Sequence, residues 1–194
     1  MIDVLGEAIG DYHHGKSDHK LWIHNRYGRK EEMPVSIYFR SGDEMPEMEH
    51  LALQRCTGKV LDIGAGAGSH SLALQAMGVD VTAIDISPKA IAVAQQRGVQ
   101  KVLEGNIYHF NSQTFDTLLL LMNGIGLTGT LTGLQLFLQH AKTLLTIGGQ
   151  LLFDSSDVAY LYKKSAKPAD RFYGEIEYRY QYQKQKTDWF HWLY

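Results

Sequence analysis

The chain has 194 residues, 44% of them hydrophobic and 21% charged, enough apolar material for one core and too little length for a second domain of ordinary size. Its formal net charge of −2 provides no global electrostatic pull toward nucleic acid, so large RNA or DNA acceptors lose ground. The single cysteine, Cys56, excludes an internal disulfide and suits a reducing compartment. The longest apolar run, Leu118 to Met122, falls far short of the ~20 residues of a spanning helix, and no charged-then-apolar leader opens the chain, so a cytoplasmic protein without a membrane partner is expected.

Met1 to Asp11 carries apolar residues at Ile2, Leu5, Ala8 and Ile9, a helical spacing. The polar run that follows, Tyr12-His13-His14-Gly15-Lys16-Ser17-Asp18-His19, has the texture of a lid over a substrate site. His13, His14, His19 and His24 invite a metal reading, but their spacing matches neither H-E-x-x-H nor a Cys/His zinc module, so no metal site is expected. Pro46 to Arg55 reads as a helix leading to the turn Thr57-Gly58. Residues 1–57 are therefore expected to form an N-terminal helical cap ahead of a core over 58–154.

From Lys59 onward strands and helices alternate. Near-continuous apolar runs at about 59–63, 80–84, 100–103, 115–121 and 149–154 predict parallel strands covered on both faces. Helices are expected over Ser71 to Met77, Ser87 to Gln96 and about Leu131 to Leu145, the second with Ser87 as cap and Pro88 in its first turn. Right-handed crossovers make this an α/β, doubly wound sheet. Residues 155–194 belong to the same domain. A short helix near Asp157 to Tyr162 and a solvated basic run of Lys163, Lys164 and Lys167 lead into two stretches of alternating aromatic and polar residues, Phe172 to Tyr182 and Asp188 to Tyr194. These predict a C-terminal β-hairpin whose rings are either an acceptor-binding wall or a packing or dimer surface.

The chemistry is concentrated in Val60-Leu61-Asp62-Ile63-Gly64-Ala65-Gly66-Ala67-Gly68-Ser69, a buried strand running into a glycine turn and then a helix, which brings bare backbone against a ligand. The spacing is G-x-G-x-G rather than the G-x-G-x-x-G of dinucleotide sites. Asp62, two residues before the first glycine, sits badly beside two phosphates and well beside an ammonium group, which favours a cationic, phosphate-free ligand. Asp85 ends the next strand 21 positions after Gly64; dinucleotide folds also place an acid about 20 residues on, so Asp85 alone decides nothing and the combination with Asp62 and Gly68 does. Gly105-Asn106 closes the third strand, Phe115 to Gly126 supplies a fourth strand and a loop, and Ile147 to Asp154 supplies a turn and a fifth strand.

In order and spacing these five elements, from Gly58 to Asp154, resemble the class I S-adenosylmethionine-dependent methyltransferases. The resemblance implies a Rossmann-like sheet of strand order 3-2-1-4-5, S-adenosylmethionine as cofactor and S-adenosylhomocysteine as product. It implies that Asp62, Gly64, Ala65, Gly66 and Gly68 line the methionine end, that Asp85 and Ile86 hold the ribose and adenine edge, and that Asn106 with Ile107 or Tyr108 covers the adenine. Met122, Asn123 and Gly124 would form the floor beside the methyl group. Asn106 stands where the family usually carries an acid, and an adenine contact and a turn-capping role are both open. Asn123 likewise either faces the methyl group or bonds its own loop. The family closes its sheet with a helix and two further strands. No long helix precedes the hairpin here, so that unit is expected to be absent and the fifth strand to be an open edge, covered by the hairpin or by a second copy in a homodimer.

Methyl transfer from a sulfonium is an in-line displacement in which holding the nucleophile and excluding water matter most. Tyr12 and His13 are the expected lid residues facing the sulfonium, His13 able to take a proton from the acceptor, with Asn123 beside them. Arg40, in Tyr38-Phe39-Arg40, either lies at the surface or reaches the cofactor carboxylate. No N-P-P-Y or D-P-P-Y run follows the fourth strand, so methylation of an exocyclic base nitrogen is unsupported. Gly124 and Gly126 instead leave space for a small-molecule acceptor. Two competing readings are a protein of the same fold that binds the cofactor without turnover and a nicotinamide-linked oxidoreductase.

Overall fold

The structure, a computed structural model, describes residues 2–16, 18–163 and 166–194; Met1, Ser17 and Lys164, which enter the expected first helix, polar lid and basic run, lie outside them. In chain order the elements are α1 (Val4–His13), β1 (Leu21–Asn25), β2 (Glu31–Met33), α2 (Glu47–Arg55), β3 (Lys59–Ile63), α3 (Ser69–Ala76), β4 (Asp80–Asp85) and α4 (Pro88–Gln96). They continue with β5 (Val102–Glu104), β6 (Phe115–Leu120), α5 (Leu131–Leu144), β7 (Leu145–Phe153), β8 (Glu175–Tyr182), β9 (Gln185–Lys186) and β10 (Phe190–Leu193). Short 3-10 turns lie at Val35–Phe39, Ile107–His109, Gly124–Thr128 and Ala159–Tyr162.

The apolar runs from Lys59 onward form one parallel sheet in the order β5-β4-β3-β6-β7, the doubly wound 3-2-1-4-5 arrangement. Both faces are covered, and the alternation along each strand shows how. Leu61, Ile63, Leu118 and Leu120 pack with Phe115, Phe137 and Leu144 on one side, while Val60, Leu119 and Leu121 pack with Leu53 and Leu74 on the other. Helix starts are fixed locally. The Ser87 hydroxyl accepts from the Ala90 N–H at 3.0 Å with Pro88 in the first turn, and Thr130 Oγ1 accepts from the Gly133 N–H at 3.0 Å.

Residues 1–57 hold more than helices. After α1, the strands β1 and β2 join the C-terminal strands in a second, antiparallel sheet of order β10-β8-β1-β2, with β9 on β8. Five residues, Leu21-Trp22-Ile23-His24-Asn25, form a strand too short to declare itself by period. Their partner lies across the chain, and the His24 to Gln181 side-chain hydrogen bond of 2.8 Å joins positions 157 apart. The aromatic hairpin is consequently part of a sheet rather than an isolated arm, with β8 inside it and β10 at its edge. This corrects the expectation that it covers the fifth parallel strand. β8 pairs with β1, and among the described residues β7 has only β6 as a partner, leaving Ile147 and Phe153 exposed along that edge.

A polar knot ties the start of the parallel sheet to the loop after α2. Thr117 in β6 is fully buried; its Oγ1 accepts from the Thr57 N–H at 3.1 Å and donates to the Thr57 carbonyl at 3.0 Å. Gln150 Nε2 donates to the same oxygen at 3.1 Å. Valine fits the same volume and removes all three bonds made by the buried Thr117 hydroxyl. Thr117→Val is expected to cost about 2 kcal/mol, read as a lower urea midpoint at unchanged m-value; a midpoint like wild type would show that the knot contributes nothing.

Candidate functional site

The bend after β3 is built from glycines in the left-handed region. Gly64, Gly66 and Gly68 have φ of 73°, 55° and 80°, so a side chain there is strained whatever the space around it. A Cβ on Gly64 would meet nothing within 4 Å, and one on Gly66 would meet only the Tyr38 ring, at 3.4 Å. Gly68 differs: a Cβ there would strike Val99 Cγ2 at 2.6 Å and Ala94 at 3.0 Å. Gly68 therefore serves the packing of the bend on α4, and it does not join Gly64, Ala65 and Gly66 on the open face.

The N–H groups of the bend are consumed internally. Gly64 and Ala65 donate to the Ile84 carbonyl at 2.9 and 3.2 Å, and Gly68 donates to the Ala65 carbonyl at 2.8 Å. Gly66 donates to Asp85 Oδ2 at 2.8 Å, while Asp85 Oδ1 accepts from the Ser87 N–H at 2.8 Å. Asp85 thus pins the bend to the start of α4, and the remaining lone pairs of its carboxylate stay available for hydroxyl donors. Burial raises its pKa above the ordinary aspartate range against the pull of these two backbone bonds, and Asp3 and Asp62 add to the rise. Ile86 beside it is exposed.

Asp62 lies under the bend, buried, accepting from the Ser71 hydroxyl at 2.7 Å. Burial raises its pKa, while the His70 charge and the Ser71 bonds oppose the rise. His70 Nε2 stands 2.8 Å from Glu49 Oε2, and one Arg40 nitrogen donates to both Glu49 oxygens at 2.7 and 2.9 Å. Burial pulls the Glu49 pKa up, but His70 and Arg40 outweigh it and hold it below the usual range. Arg40 Nε is buried without a partner. A network of alternating charge therefore occupies the methionine side of the expected site.

The opposite wall of the site is the loop after β6. Met122 and Asn123, neither of them glycine, have φ of 58° and 57°, a strain that tertiary contacts sustain. Asp154 Oδ1 accepts from the Asn123 N–H at 2.7 Å, and the Trp192 indole N–H donates to the Asn123 carbonyl at 3.1 Å. The Asn123 side-chain oxygen is buried and unpartnered, so the side chain does not bond its own loop. Burial raises the Asp154 pKa against the Asn123 bond. Gly124 packs on Leu120, whereas the space beside Gly126 is filled by the Trp192 indole.

Several expected contacts fall elsewhere. Asn106 Oδ1 accepts from the Tyr108 N–H at 3.0 Å, capping the 107–109 turn. Ile107 is buried and packs in the core beside that turn. Tyr12 and His13 end α1 stacked on Phe39, with centroids at 4.8 and 6.2 Å. The other end of α1 is the one that reaches Asp85, through the Ser87 hydroxyl donating to Asp3 Oδ2 at 2.7 Å, so Tyr12 and His13 are about 14 Å further along the helix. His14, His19 and His24 contact Gly10, Tyr182 and Gln181 separately, and no group of three metal-ligating side chains assembles among the described residues.

Tyr38 takes the position over the bend. Arg97 clips it there: its guanidinium donates to the carbonyls of Ala67 at 2.6 Å, Tyr38 at 3.3 Å and Phe39 at 3.2 Å and stacks on Phe39 at 4.9 Å. Burial first, then Tyr180 and Asp85, push the Tyr38 hydroxyl well above its usual pKa. Tyr180 is raised likewise, by burial, then Tyr194 and Asp85. Tyr38 belongs to the run Tyr38-Phe39-Arg40 that the sequence offers as a candidate, but nothing in the sequence marks Arg97 as its clip, since the two meet through contacts distant along the chain.

Comparison with known proteins places this geometry. The methyltransferase-domain family matches residues 61–153. A crystal structure of an S-adenosylmethionine-dependent methyltransferase from Bacteroides fragilis in complex with S-adenosyl-L-homocysteine is 41% identical, covering 99% of this chain and 80% of that one at a TM-score of 0.88. The sugar N-methyltransferase KedS8 from Streptoalloteichus sp. is 16% identical over 88% of this chain and 83% of its own, at a TM-score of 0.58. CalS10, an amino pentose methyltransferase from Micromonospora echinaspora, is 16% identical over 86% and 85%, at 0.53; these two share the fold. No curated protein sequence matches the chain.

Asp85 keeps its proton to higher pH in the folded than in the unfolded chain. Between the two pKa values the folded state binds more protons, so stability falls as pH rises through that window. Asp85→Asn removes this component. From about pH 4 to about pH 7 the wild-type urea midpoint is expected to fall relative to that of the variant; parallel curves would rule out a raised Asp85.

Proposed function

Because the chain belongs to the S-adenosylmethionine-dependent methyltransferases, we propose that it binds S-adenosylmethionine across the bend between Asp62 and Gly68. It passes the methyl group by in-line displacement to a small-molecule acceptor, leaving S-adenosylhomocysteine. The observation that carries this reading is the bend itself: four of its N–H groups are bonded internally and two acidic side chains, Asp62 and Asp85, flank it. A pyrophosphate needs free N–H donors at that point and would face two carboxylates. A sulfonium nucleoside needs neither and gains from the acids, so the residues present fit this cofactor better than a nicotinamide dinucleotide.

On this reading Gly64, Ala65 and Gly66 give the ligand bare backbone, Asp85 accepts from the ribose hydroxyls, and Ile86 lies along the adenine edge. Asn106 fits an adenine contact only through capacity left over from its capping bond. Arg40, whose Nε has no protein partner, is placed to meet the cofactor carboxylate from the Glu49 network. Met122, Asn123 and Gly124 hold the floor beside the methyl group, and Tyr38 rather than Tyr12 or His13 shields the bend from water. The cofactor supplies an electrophilic methyl on sulfur; the chain's part is alignment and exclusion of water. Tyr38 and Tyr180 have raised pKa values and stay neutral, so they donate hydrogen bonds instead of serving as bases.

No described helix is long and apolar enough to cross a membrane; a cytoplasmic setting is supported by the lone Cys56, whose thiol burial pushes up to about 12. The uncovered β7 edge, with Ile147 and Phe153 exposed, supports a homodimer formed along it. Calorimetry with S-adenosylhomocysteine and NADH tests the cofactor assignment. Only the first is expected to bind. Asp85→Ala should weaken it by about 1.5–3 kcal/mol, and Gly66→Arg should abolish it because the side chain enters the ligand's space at a left-handed position. Preference for NADH, or unchanged affinity in Gly66→Arg, would overturn the reading.

A further inference from the structure

We propose that the acceptor is a small amine, taken up between the glycine bend and the inner face of the antiparallel sheet, with Glu31 attracting its ammonium form at the rim and Asn123 Oδ1 orienting its N–H beside the methyl group. This rests on the cofactor reading above and adds the class of substrate to it.

The first observation is an unbroken aromatic face over the bend. Trp192 lies against Gly126 and bonds the Asn123 carbonyl. The Phe190 ring is 6.2 Å from Trp192 and 5.2 Å from Tyr180. Tyr38 stands beside Tyr180 and against Gly66, and Tyr178 and Tyr194 extend the face with centroids 6.1 Å apart. Ring faces thus run from the methyl end of the site to the ribose end. Tyr178 is buried and Phe190, Trp192 and Tyr194 are half-buried, packing with Val158 and Tyr162, while Tyr38 and Tyr180 are half-buried beside Asp85.

The second observation is that charge is sorted across this sheet. The register sets Glu31, Ile23 and Tyr180 in one row, so their side chains share the inner face, and sets Glu32, Trp22 and Gln181 in the next row on the outer face. Four cations lie outside, Lys30 and Lys20 on Trp22 at 4.2 and 6.0 Å, and Arg26 and Arg179 on Trp189 at 3.7 and 4.8 Å; on the inner cluster Arg171 donates to the Tyr27 hydroxyl at 2.7 Å and Lys167 lies over Tyr173 at 3.7 Å. Glu32 is taken by Lys20 at 2.6 Å, while Glu31 has no ion pair among the described residues. The Glu31 charge is felt by the hydroxyls of Tyr160, Tyr178 and Tyr194. The cations nearest the bend are engaged, Arg40 by Glu49 and Arg97 by three carbonyls.

An anionic acceptor would therefore meet electron-rich ring faces and a free carboxylate, while the cations on this side, Arg171 and Lys167, are already held on Tyr27 and Tyr173. A neutral alcohol can offer Glu31 only a hydrogen bond, without the opposite charge. An ammonium gains from both the rings and the carboxylate. At the methyl end the unpartnered Asn123 oxygen accepts one N–H. The amine releases a proton to solvent and becomes the free base, and its nitrogen lone pair forms the N–CH₃ bond. The S–CH₃ bond breaks with its electron pair going to sulfur, giving the thioether and a methylated ammonium that loses or keeps its remaining proton to water.

The test uses the full chain saturated with S-adenosylhomocysteine and three probes of one shape: tyramine, the corresponding alcohol tyrosol, and 4-hydroxyphenylacetate. Calorimetry is expected to show tyramine binding about tenfold more tightly than either analogue. Glu31→Gln should reduce that preference several-fold without changing affinity for S-adenosylhomocysteine, and Asn123→Ala should lower methyl transfer from labelled S-adenosylmethionine to tyramine. Equal binding of the three probes, binding of none, or a preference that survives Glu31→Gln would overturn the amine assignment. Failure of S-adenosylhomocysteine itself to bind would instead remove the cofactor reading beneath it.

Discussion

The carboxylate of Asp85 is the point on which the site depends. Its two oxygens take the N–H groups of Gly66 and Ser87, so one side chain at the end of β4 fixes both the left-handed bend and the start of α4. Because the bend's donors are used in this way, its exposed side has little positive character, and the acidic residues around it give it the opposite sign. That single arrangement separates a sulfonium nucleoside from a diphosphate. It carries an energetic cost, visible in the raised pKa values of buried Asp62 and of half-buried Asp85 and Asp154, each at the carboxyl end of a parallel strand. A cationic ligand bound beside these carboxylates offsets such ionisation penalties.

Around this point the chain arranges two different kinds of support. Arg97 and the Arg40–Glu49–His70 network are rigid polar ties: each holds a segment preceding the parallel sheet against the bend or its helix. The loop at Met122 and Asn123 is held differently, under backbone strain, by Asp154 from the end of β7 and Trp192 from the last strand. Both devices require elements from opposite ends of the sequence to meet. The antiparallel sheet accomplishes this by pairing β1 from the first quarter of the chain with β8 from the last, and its aromatic inner face then covers what the parallel sheet leaves open.

The parallel core was legible because its signals are local. Five apolar runs, their glycine turns and the Ser87-Pro88 cap each announce an element within a few residues, and the pairing of Asp62 with the glycine spacing points to the ligand's charge. The site's outer half was not legible. Tyr12 and His13 have chemically suitable side chains, yet helix geometry carries them to Phe39, away from Asp85. Ile107 and Gly68 stand at plausible positions, but packing assigns the first to the core and the second to the contact with Val99 and Ala94. Asn106 caps a turn, the local option for a residue whose side chain can reach the backbone two positions on.

By itself the sequence determined the doubly wound sheet, the acidic-flanked glycine bend and hence the class of cofactor, since each depends on spacing over a few to some twenty residues. The tertiary structure decided what lies over that bend: Tyr38 through the Arg97 clip, the aromatic face through the β1–β8 register, and the side of the sheet on which Glu31 and the cations lie. A shift of one residue in that register would turn every ring outward and every charge inward, and no local pattern in either strand records which register is chosen, because the choice is made by burial against a surface formed elsewhere in the chain.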